Sequence, residues 1–133
     1  MKYLFDSSAI FRAIKENKIE ALASNYTLEL ARYELENILW KSHTLLGKTT
    51  KNELKSLAKL VKETLSVMEI IQIECTEEEI TGIAAEMKIT FYDASYAYQA
   101  HKNNMTLITE DNELLKKADK YANASRLDAL FPQ

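Results

Sequence analysis

Residues 2–16, KYLFDSSAIFRAIKE, combine a strand pattern and a helix pattern around one acidic turn. Lys2 to Phe5 has the apolar character of a short buried strand. Asp6-Ser7-Ser8 carries the residue types of a helix N-cap, and Ala9 to Glu16 follows with helical spacing. A strand that passes directly into a helix is the building unit of an α/β fold with a parallel sheet.

The rest of the chain repeats this alternation of strand and helix patterns. Apolar spacing predicts helices over 29–46, 50–66, 77–87, 92–102 and 112–122, and a short helical piece over 19–23. Strands are expected over 68–73 and 105–109, with weaker strand patterns at 25–27 and 123–126. Thr76 and the glutamates after it have the form of a capping box, and Gly47 stands where a glycine usually stops a helix. We expect one domain, residues 1–133, with a central parallel sheet of four to five strands covered by helices on both faces.

Composition limits the function classes. The hydrophobic fraction of 47% and the charged fraction of 28% are ordinary for a globular protein. No apolar run approaches the roughly 20 residues of a membrane span, and MKYLFDSS lacks the pattern of a signal peptide. Because the single cysteine, Cys75, cannot form an internal disulfide, we expect a cytoplasmic protein. A net charge of −3 argues against nucleic-acid binding by bulk electrostatics, although bound cations would reverse the sign at an acidic cluster.

Four carboxylates stand at positions where they can gather into one site. Asp6 and Asp111 follow predicted strands, and ligands of open parallel sheets bind beyond the carboxyl ends of the strands. Each of these two residues, and also Asp93, has the alternative role of a helix cap. Glu34 shares a flank with the apolar positions of its helix, where the alternative is a pair with Lys41 or an outward orientation. Together the four acids offer the oxygen ligands that Mg²⁺ and Mn²⁺ prefer.

Four segments carry a family resemblance: YLFDSSAIF, ARYELENILWK, ITFYDASYAYQA and LITEDNELL. In this order and spacing they resemble the motifs of PIN-domain ribonucleases, and most closely those of the VapC-type toxins of toxin–antitoxin pairs. The resemblance implies a three-layer α/β/α PIN-like fold of the FEN/RNase H-like type and a metal-dependent endoribonuclease that hydrolyses RNA phosphodiester bonds. The implied metal ligands and catalytic residues are Asp6, Glu34, Asp93 and Asp111, joined by Thr109, by Ser7 or Ser8 as the hydroxyl after the first acid, and by the polar Asn37.

The same resemblance implies Mg²⁺ or Mn²⁺ as cofactor, RNA as substrate, a homodimer, and a small antitoxin protein whose tail enters the groove of the site. The alternative is a non-catalytic PIN-like module that binds RNA or a partner. A phosphorylatable receiver domain ranks last, because the strand over 68–73 is followed by Glu74-Cys75, where such a domain needs a phosphoacceptor Asp.

Two departures from the family pattern are carboxylates. Glu36 stands where relatives often carry a small residue, and Glu110 adds an acid beside Asp111. Either side chain can alter metal occupancy or be a solvated bystander, and we expect the second for both.

Basic residues offer two candidates for RNA contacts. Arg12 and Lys15 lie within two helical turns of Asp6 and are the better candidates for phosphate contacts. Four lysines recur at helical spacing and are expected to form a solvated helix face rather than an RNA track: Lys51, Lys55, Lys59 and Lys62.

Overall fold

The structure contains the strands and helices that the apolar patterns predict. The computed structural model describes residues 2–131, so Met1 and residues 132–133 of the predicted domain lie outside the described residues. In the described range the strands are β1 (Tyr3–Phe5), β2 (Tyr26–Leu28), β3 (Glu69–Ile71), β4 (Thr106–Ile108) and β5 (Ala124–Ser125). The α-helices of the same range are α1 (Ser7–Lys15), α2 (Leu30–Trp40), α3 (Lys51–Ser66), α4 (Glu77–Met87), α5 (Phe91–Lys102) and α6 (Asn112–Ala118). Short 3₁₀ turns cover Ile19–Ala21 and Leu127–Leu130.

All pairs of neighbouring strands are parallel, in the spatial order β3-β2-β1-β4-β5. In the sheet, β2 and β3 therefore follow on one side of β1, and β4 and β5 follow on its other side. Phe5 pairs with Ile108 in register, so β1 and β4 end side by side. The N–H of Asp6 donates to the carbonyl of Ile108 over 3.1 Å and extends this pairing past both strands. The crevice between strands at which the order reverses is the usual ligand site of an open α/β sheet.

Helices cover both faces of the sheet and form two separate cores. On one face, residues of α1, α2 and α3 pack with Phe5 and Ile108. On the other face, residues of α5 and α6 pack with Leu4 and Leu107. Adjacent strand residues enter opposite cores because side chains alternate along a strand. The predicted three-layer α/β/α arrangement is confirmed.

Some helix ends differ from the sequence-based prediction. The capping box stands at Thr50, which exchanges hydrogen bonds with Glu53, and the one predicted at Thr76 is wrong. The hydroxyl of Thr76 donates instead to the carbonyl of Ile73, so it is already engaged in the preceding turn. The helix predicted over 29–46 continues from α2 as a π-helical turn over Lys41–Leu45, and Gly47 ends it with φ +60°.

The longest described helix, α3, has 16 residues and a charged outer face. No described helix combines the length and apolar character that crossing a bilayer requires.

Candidate active site

Asp6 lies at the end of β1, where it caps α1 and faces inward. Its Oδ1 accepts hydrogen bonds from the N–H of Ala9 (2.9 Å) and the hydroxyl of Ser8 (2.7 Å). Its Oδ2 accepts from the hydroxyl of Thr109 over 2.5 Å. Only 5% of Asp6 is exposed, and this burial raises the pKa of Asp6 to about 6 although the three hydrogen bonds lower it. The capping alternative and the inward orientation are therefore both correct.

Asp111 caps α6 at the neighbouring strand end. Its Oδ1 accepts from the backbone N–H groups of Glu113 (2.9 Å) and Leu114 (3.0 Å). The hydroxyl of Thr109 accepts the N–H of Asp111 over 3.1 Å while it donates to Asp6. Thr109 thus links the first and last acids of the site across the β1–β4 crevice. No hydrogen bond to Oδ2 of Asp111 is found among residues 2–131, so this oxygen remains open to a ligand.

Asp93 lies in the first turn of α5 and does not cap it. The cap is Thr90, whose hydroxyl accepts the N–H of Asp93 over 3.1 Å, so the capping alternative for Asp93 is wrong. The carboxylate is half-buried and accepts no hydrogen bond from the described part of the chain. Burial, followed by the negative charges of Asp111, Glu34 and Glu113, raises the pKa of Asp93 to about 6.

Glu34 reaches the site from α2 and is held by a buried tyrosine. The hydroxyl of Tyr96 donates to Oε1 of Glu34 over 2.8 Å, and Ser7 is a second hydrogen-bond partner. Burial raises the pKa of Glu34, and the two hydrogen bonds oppose that rise. Within the described residues Glu34 makes no ion pair, so the alternative of a pair with Lys41 is wrong.

Tyr96 and Ser8 also contact acids of the site, and of these two only Ser8 is among the residues that the family resemblance implies. Tyr96 is 1% exposed, which agrees with a core residue, yet its hydroxyl faces Glu34. The sequence feature that indicates a role for Tyr96 in the site is its position one helical turn after Asp93 on α5. Ser8 donates to Asp6 and also accepts the N–H of Glu110 over 2.9 Å. The two candidate hydroxyls after the first acid therefore contact different carboxylates: Ser8 binds Asp6, and Ser7 binds Glu34.

A cleft of about 520 Å³ opens beside Glu34. Its other lining residues are Leu30, Tyr33, Asn37 and Tyr92. Asn37 thus lines the same cleft as Glu34. Glu36 is exposed on the same helix, which agrees with the expected solvated side chain.

The expectation that Glu110 is solvated is wrong. Its Oε1 lies 2.5 Å from Nη1 of Arg12, and its Oε2 accepts the N–H of Leu127 over 2.8 Å. Arg12 also pairs with Glu16 (2.6 Å) and Asp128 (2.9 Å). With its guanidinium surrounded by three carboxylates, Arg12 joins α1 to the segments after β4 and β5. This removes Arg12 as a candidate for phosphate contacts.

The donor set fits a hydrated divalent ion better than an all-protein cage. Among residues 2–131, no three acidic, histidine or cysteine side chains converge closely enough to ligate one ion. Mg²⁺ usually binds through one or two carboxylates, retained waters and substrate phosphate. The carboxylate of Asp93 and the open oxygen of Asp111 are hard donors of that kind. Burial raises the pKa of Asp93 most, and a bound cation would relieve the repulsion from Asp111 that raises it further.

The raised pKa of Asp6 predicts that the metal-free protein loses stability as the pH rises. The carboxyl titrates at about 6 in the folded protein, against an ordinary value of 3.8. Between these values the folded protein keeps a proton that the unfolded chain has released, so the free energy of unfolding falls over this window. The contribution of Asp6 is at most about 3 kcal/mol. Urea unfolding in chelator, at several pH values, should show a smaller fall in Asp6→Asn than in the wild type. An identical pH dependence in both proteins would show that Asp6 titrates normally.

Comparison with known proteins assigns the family. A model of the PIN domain family matches residues 3–120. Exonuclease VapC9 of Pyrobaculum aerophilum is 33% identical over 128 residues, which cover 88% of this chain and 86% of that protein. Ribonuclease VapC3 of the same organism is 27% identical over 125 residues, covering 88% and 95%. The chain therefore belongs to the PIN-domain family.

Solved structures agree on the fold. The crystal structure of PAE2754 from Pyrobaculum aerophilum superposes with a TM-score of 0.83 at 30% identity, covering 98% of this chain and 86% of that one. The DNA-bound VapBC from Salmonella typhimurium gives a TM-score of 0.67 at 14% identity, covering 95% and 98%. The PIN fold implied by the sequence motifs is confirmed.

Proposed function

We propose that this protein is an endoribonuclease that hydrolyses RNA phosphodiester bonds with Mg²⁺ or Mn²⁺. The observation that carries the proposal is Asp93, a half-buried carboxylate with no hydrogen-bond partner in the described range and with Glu34 and Asp111 close enough to raise its pKa. A carboxylate kept only for structure at that depth would normally have a donor or a cation. The names exonuclease and ribonuclease of the two relatives support a phosphodiester substrate.

The residues of the site divide the proposed work. Bound there, Mg²⁺ or Mn²⁺ would lower the pKa of a water molecule and offset the charge that develops on the phosphodiester. Asp93 and Asp111 would bind the ion, and Glu34 would bind waters that the ion keeps. Asp6 would add negative charge beneath them, with both of its oxygens fixed by hydrogen bonds. Thr109 and Ser7 would act by orienting Asp6 and Glu34.

The proposed partners are a small antitoxin and a second copy of the chain, as in a toxin–antitoxin pair. The likeness to a VapBC structure supports an antitoxin. The cleft beside Glu34, where Tyr33 and Tyr92 are exposed, offers apolar surface for its tail. Trp40 and Leu45 expose 49% and 60% of their surfaces, and exposed apolar surface of this kind supports a dimer contact. The free thiol of Cys75 suits the proposed cytoplasmic location, and we propose residues 1–133 as one domain.

Circular single-stranded RNA tests the proposed activity, because a strand without ends can be opened only by internal hydrolysis. We expect Mg²⁺ or Mn²⁺ to support linearisation of the circle and a chelator to stop it. The linear form of the same RNA is the control. Degradation of the linear strand alone would assign an exonuclease. No cleavage of either RNA by folded protein would favour the alternative, a non-catalytic module that binds RNA or a partner.

A further inference from the structure

A second cleft, of about 510 Å³, lies between α4 and α6. Its lining combines lysines with one aromatic and two apolar side chains: Lys116, Lys117, Lys120, Tyr121, Ile83 and Met87. Glu86 supplies the only carboxylate among the described lining residues. The cleft is therefore positively charged in a chain whose net charge is −3.

Two of the three lysines are free to bind an anion. Lys116 and Lys120 are exposed and make no ion pair within residues 2–131. Lys117 is held in place, since its Nζ lies 2.9 Å from Glu113 and donates to the carbonyl of Lys88 over 3.0 Å. The positive charge of the cleft thus rests mainly on Lys116 and Lys120.

The cleft and the carboxylate site share helix α6. Asp111 caps α6, and Lys117 stands about 9 Å further along the same helix. A strand whose phosphate lies at the carboxylates can therefore reach the lysines along the surface of α6.

The aromatic residue of the cleft has a fixed ring. Tyr121 is half-exposed, and its ring centroid lies 4.4 Å from that of His101. Proteins bind single-stranded nucleic acid by combining a positively charged groove with aromatic side chains on which bases stack. We propose that the cleft between α4 and α6 binds the RNA strand beside the scissile phosphate, with Lys116 and Lys120 on phosphates and Tyr121 against a base. This inference rests on the proposed ribonuclease function.

The lysines of α3 provide a matched control. Lys55 and Lys62 are also exposed, and they make no ion pair among the described residues. They lie on α3, whose apolar side packs in the core on the opposite face of the sheet from α6. Removing two charges there changes the net charge as much as removing two from the cleft.

Steady-state cleavage of a single-stranded RNA at about 50 and 200 mM salt compares the two double variants with the wild type. We expect Lys116→Gln/Lys120→Gln to raise KM about tenfold at the lower salt and to leave kcat within about twofold. The slope of log affinity against log salt should fall by about 1.4, since each phosphate contact on a single strand contributes about 0.7. Lys55→Gln/Lys62→Gln should behave as the wild type. Equal KM in the cleft variant and the wild type, or an equal loss in the α3 variant, would overturn the proposal.

RNA binding measured by fluorescence anisotropy separates this inference from the proposed function. The measurement uses the Asp93→Asn background, so that the strand is not cut. Suppose that the wild-type protein cleaves no RNA but that loss of Lys116 and Lys120 weakens RNA binding. This result would reject the proposed ribonuclease activity and retain the cleft as an RNA-binding site. Unchanged RNA binding, with weaker binding of a poly-glutamate peptide, would assign the cleft to an acidic protein segment and overturn the inference.

Discussion

Asp93→Asn should abolish metal-dependent RNA cleavage while making the metal-free protein more stable. The substitution keeps the shape of the side chain and removes the carboxylate that accepts no hydrogen bond in the described structure. Loss of one charged group at the reacting phosphate is expected to lower kcat on the order of 10³-fold. The free energy of unfolding in chelator should rise near neutral pH, because an amide costs less to bury than a carboxylate and because the repulsion from Asp111 and Glu34 disappears. Cleavage kinetics and urea unfolding measure the two effects.

Asp119→Asn is the control for this substitution. Asp119 is an exposed acid at the end of α6, and the same chemical change there should leave both measurements close to the wild type. An Asp93→Asn protein that keeps more than about a tenth of the wild-type kcat would contradict a metal role for Asp93. If Asp93→Asn were less stable than the wild type in chelator, the claim that the Asp93 carboxylate destabilises the metal-free protein would be wrong.

Glu34→Gln should lower kcat about 10²-fold or more with the fold retained. The amide keeps the size of Glu34 and can accept the hydrogen bond of Tyr96, so packing between α2 and α5 is preserved. The negative charge that the site needs for a cation is lost. Steady-state cleavage across a range of Mg²⁺ concentrations measures the effect, and circular dichroism checks the fold.

Two comparisons show whether the loss comes from the charge of Glu34. Glu36→Gln removes an exposed acid from the same helix and should remain within about twofold of the wild type. Tyr96→Phe keeps the charge of Glu34 but removes the hydrogen bond that orients its carboxylate. Loss of a partner that orients a ligating group typically lowers metal affinity or activity about 10- to 100-fold. The expected order of activity is therefore Glu36→Gln, then Tyr96→Phe, then Glu34→Gln. If Glu34→Gln and Glu36→Gln were equally active, Glu34 would be an ordinary surface acid.

The strands and helices of the fold could be predicted from the sequence because each follows from the local spacing of apolar residues. Residues 2–16 show both periods, and the structure places β1 and α1 within that segment. The turn chemistry at Thr76 was misread, because a threonine followed by glutamates has the same pattern whether its hydroxyl bonds forward to the helix or back to the preceding turn.

The partners of the acids could not be predicted, since they depend on distant parts of the chain. Glu34 could be identified as an inward-facing acid, but Tyr96 is 62 positions away and reads as a core residue. Glu110 read as solvated because Arg12, its partner, lies 98 positions earlier. Both contacts exist only after helices from different parts of the chain have packed onto the sheet.

Mn²⁺ binding to the metal-free protein tests the central claim most directly, because it requires neither the correct RNA nor turnover. Calorimetric titration near pH 7 should show binding to the wild type and a loss of affinity of at least about tenfold in Asp93→Asn. Metal binding should also release more protons at about pH 6 than at pH 8, because Asp6 and Asp93 titrate at about 6. Equal Mn²⁺ binding by Asp93→Asn and the wild type, or no binding to folded wild-type protein, would contradict the assignment of the carboxylate cluster as a metal site.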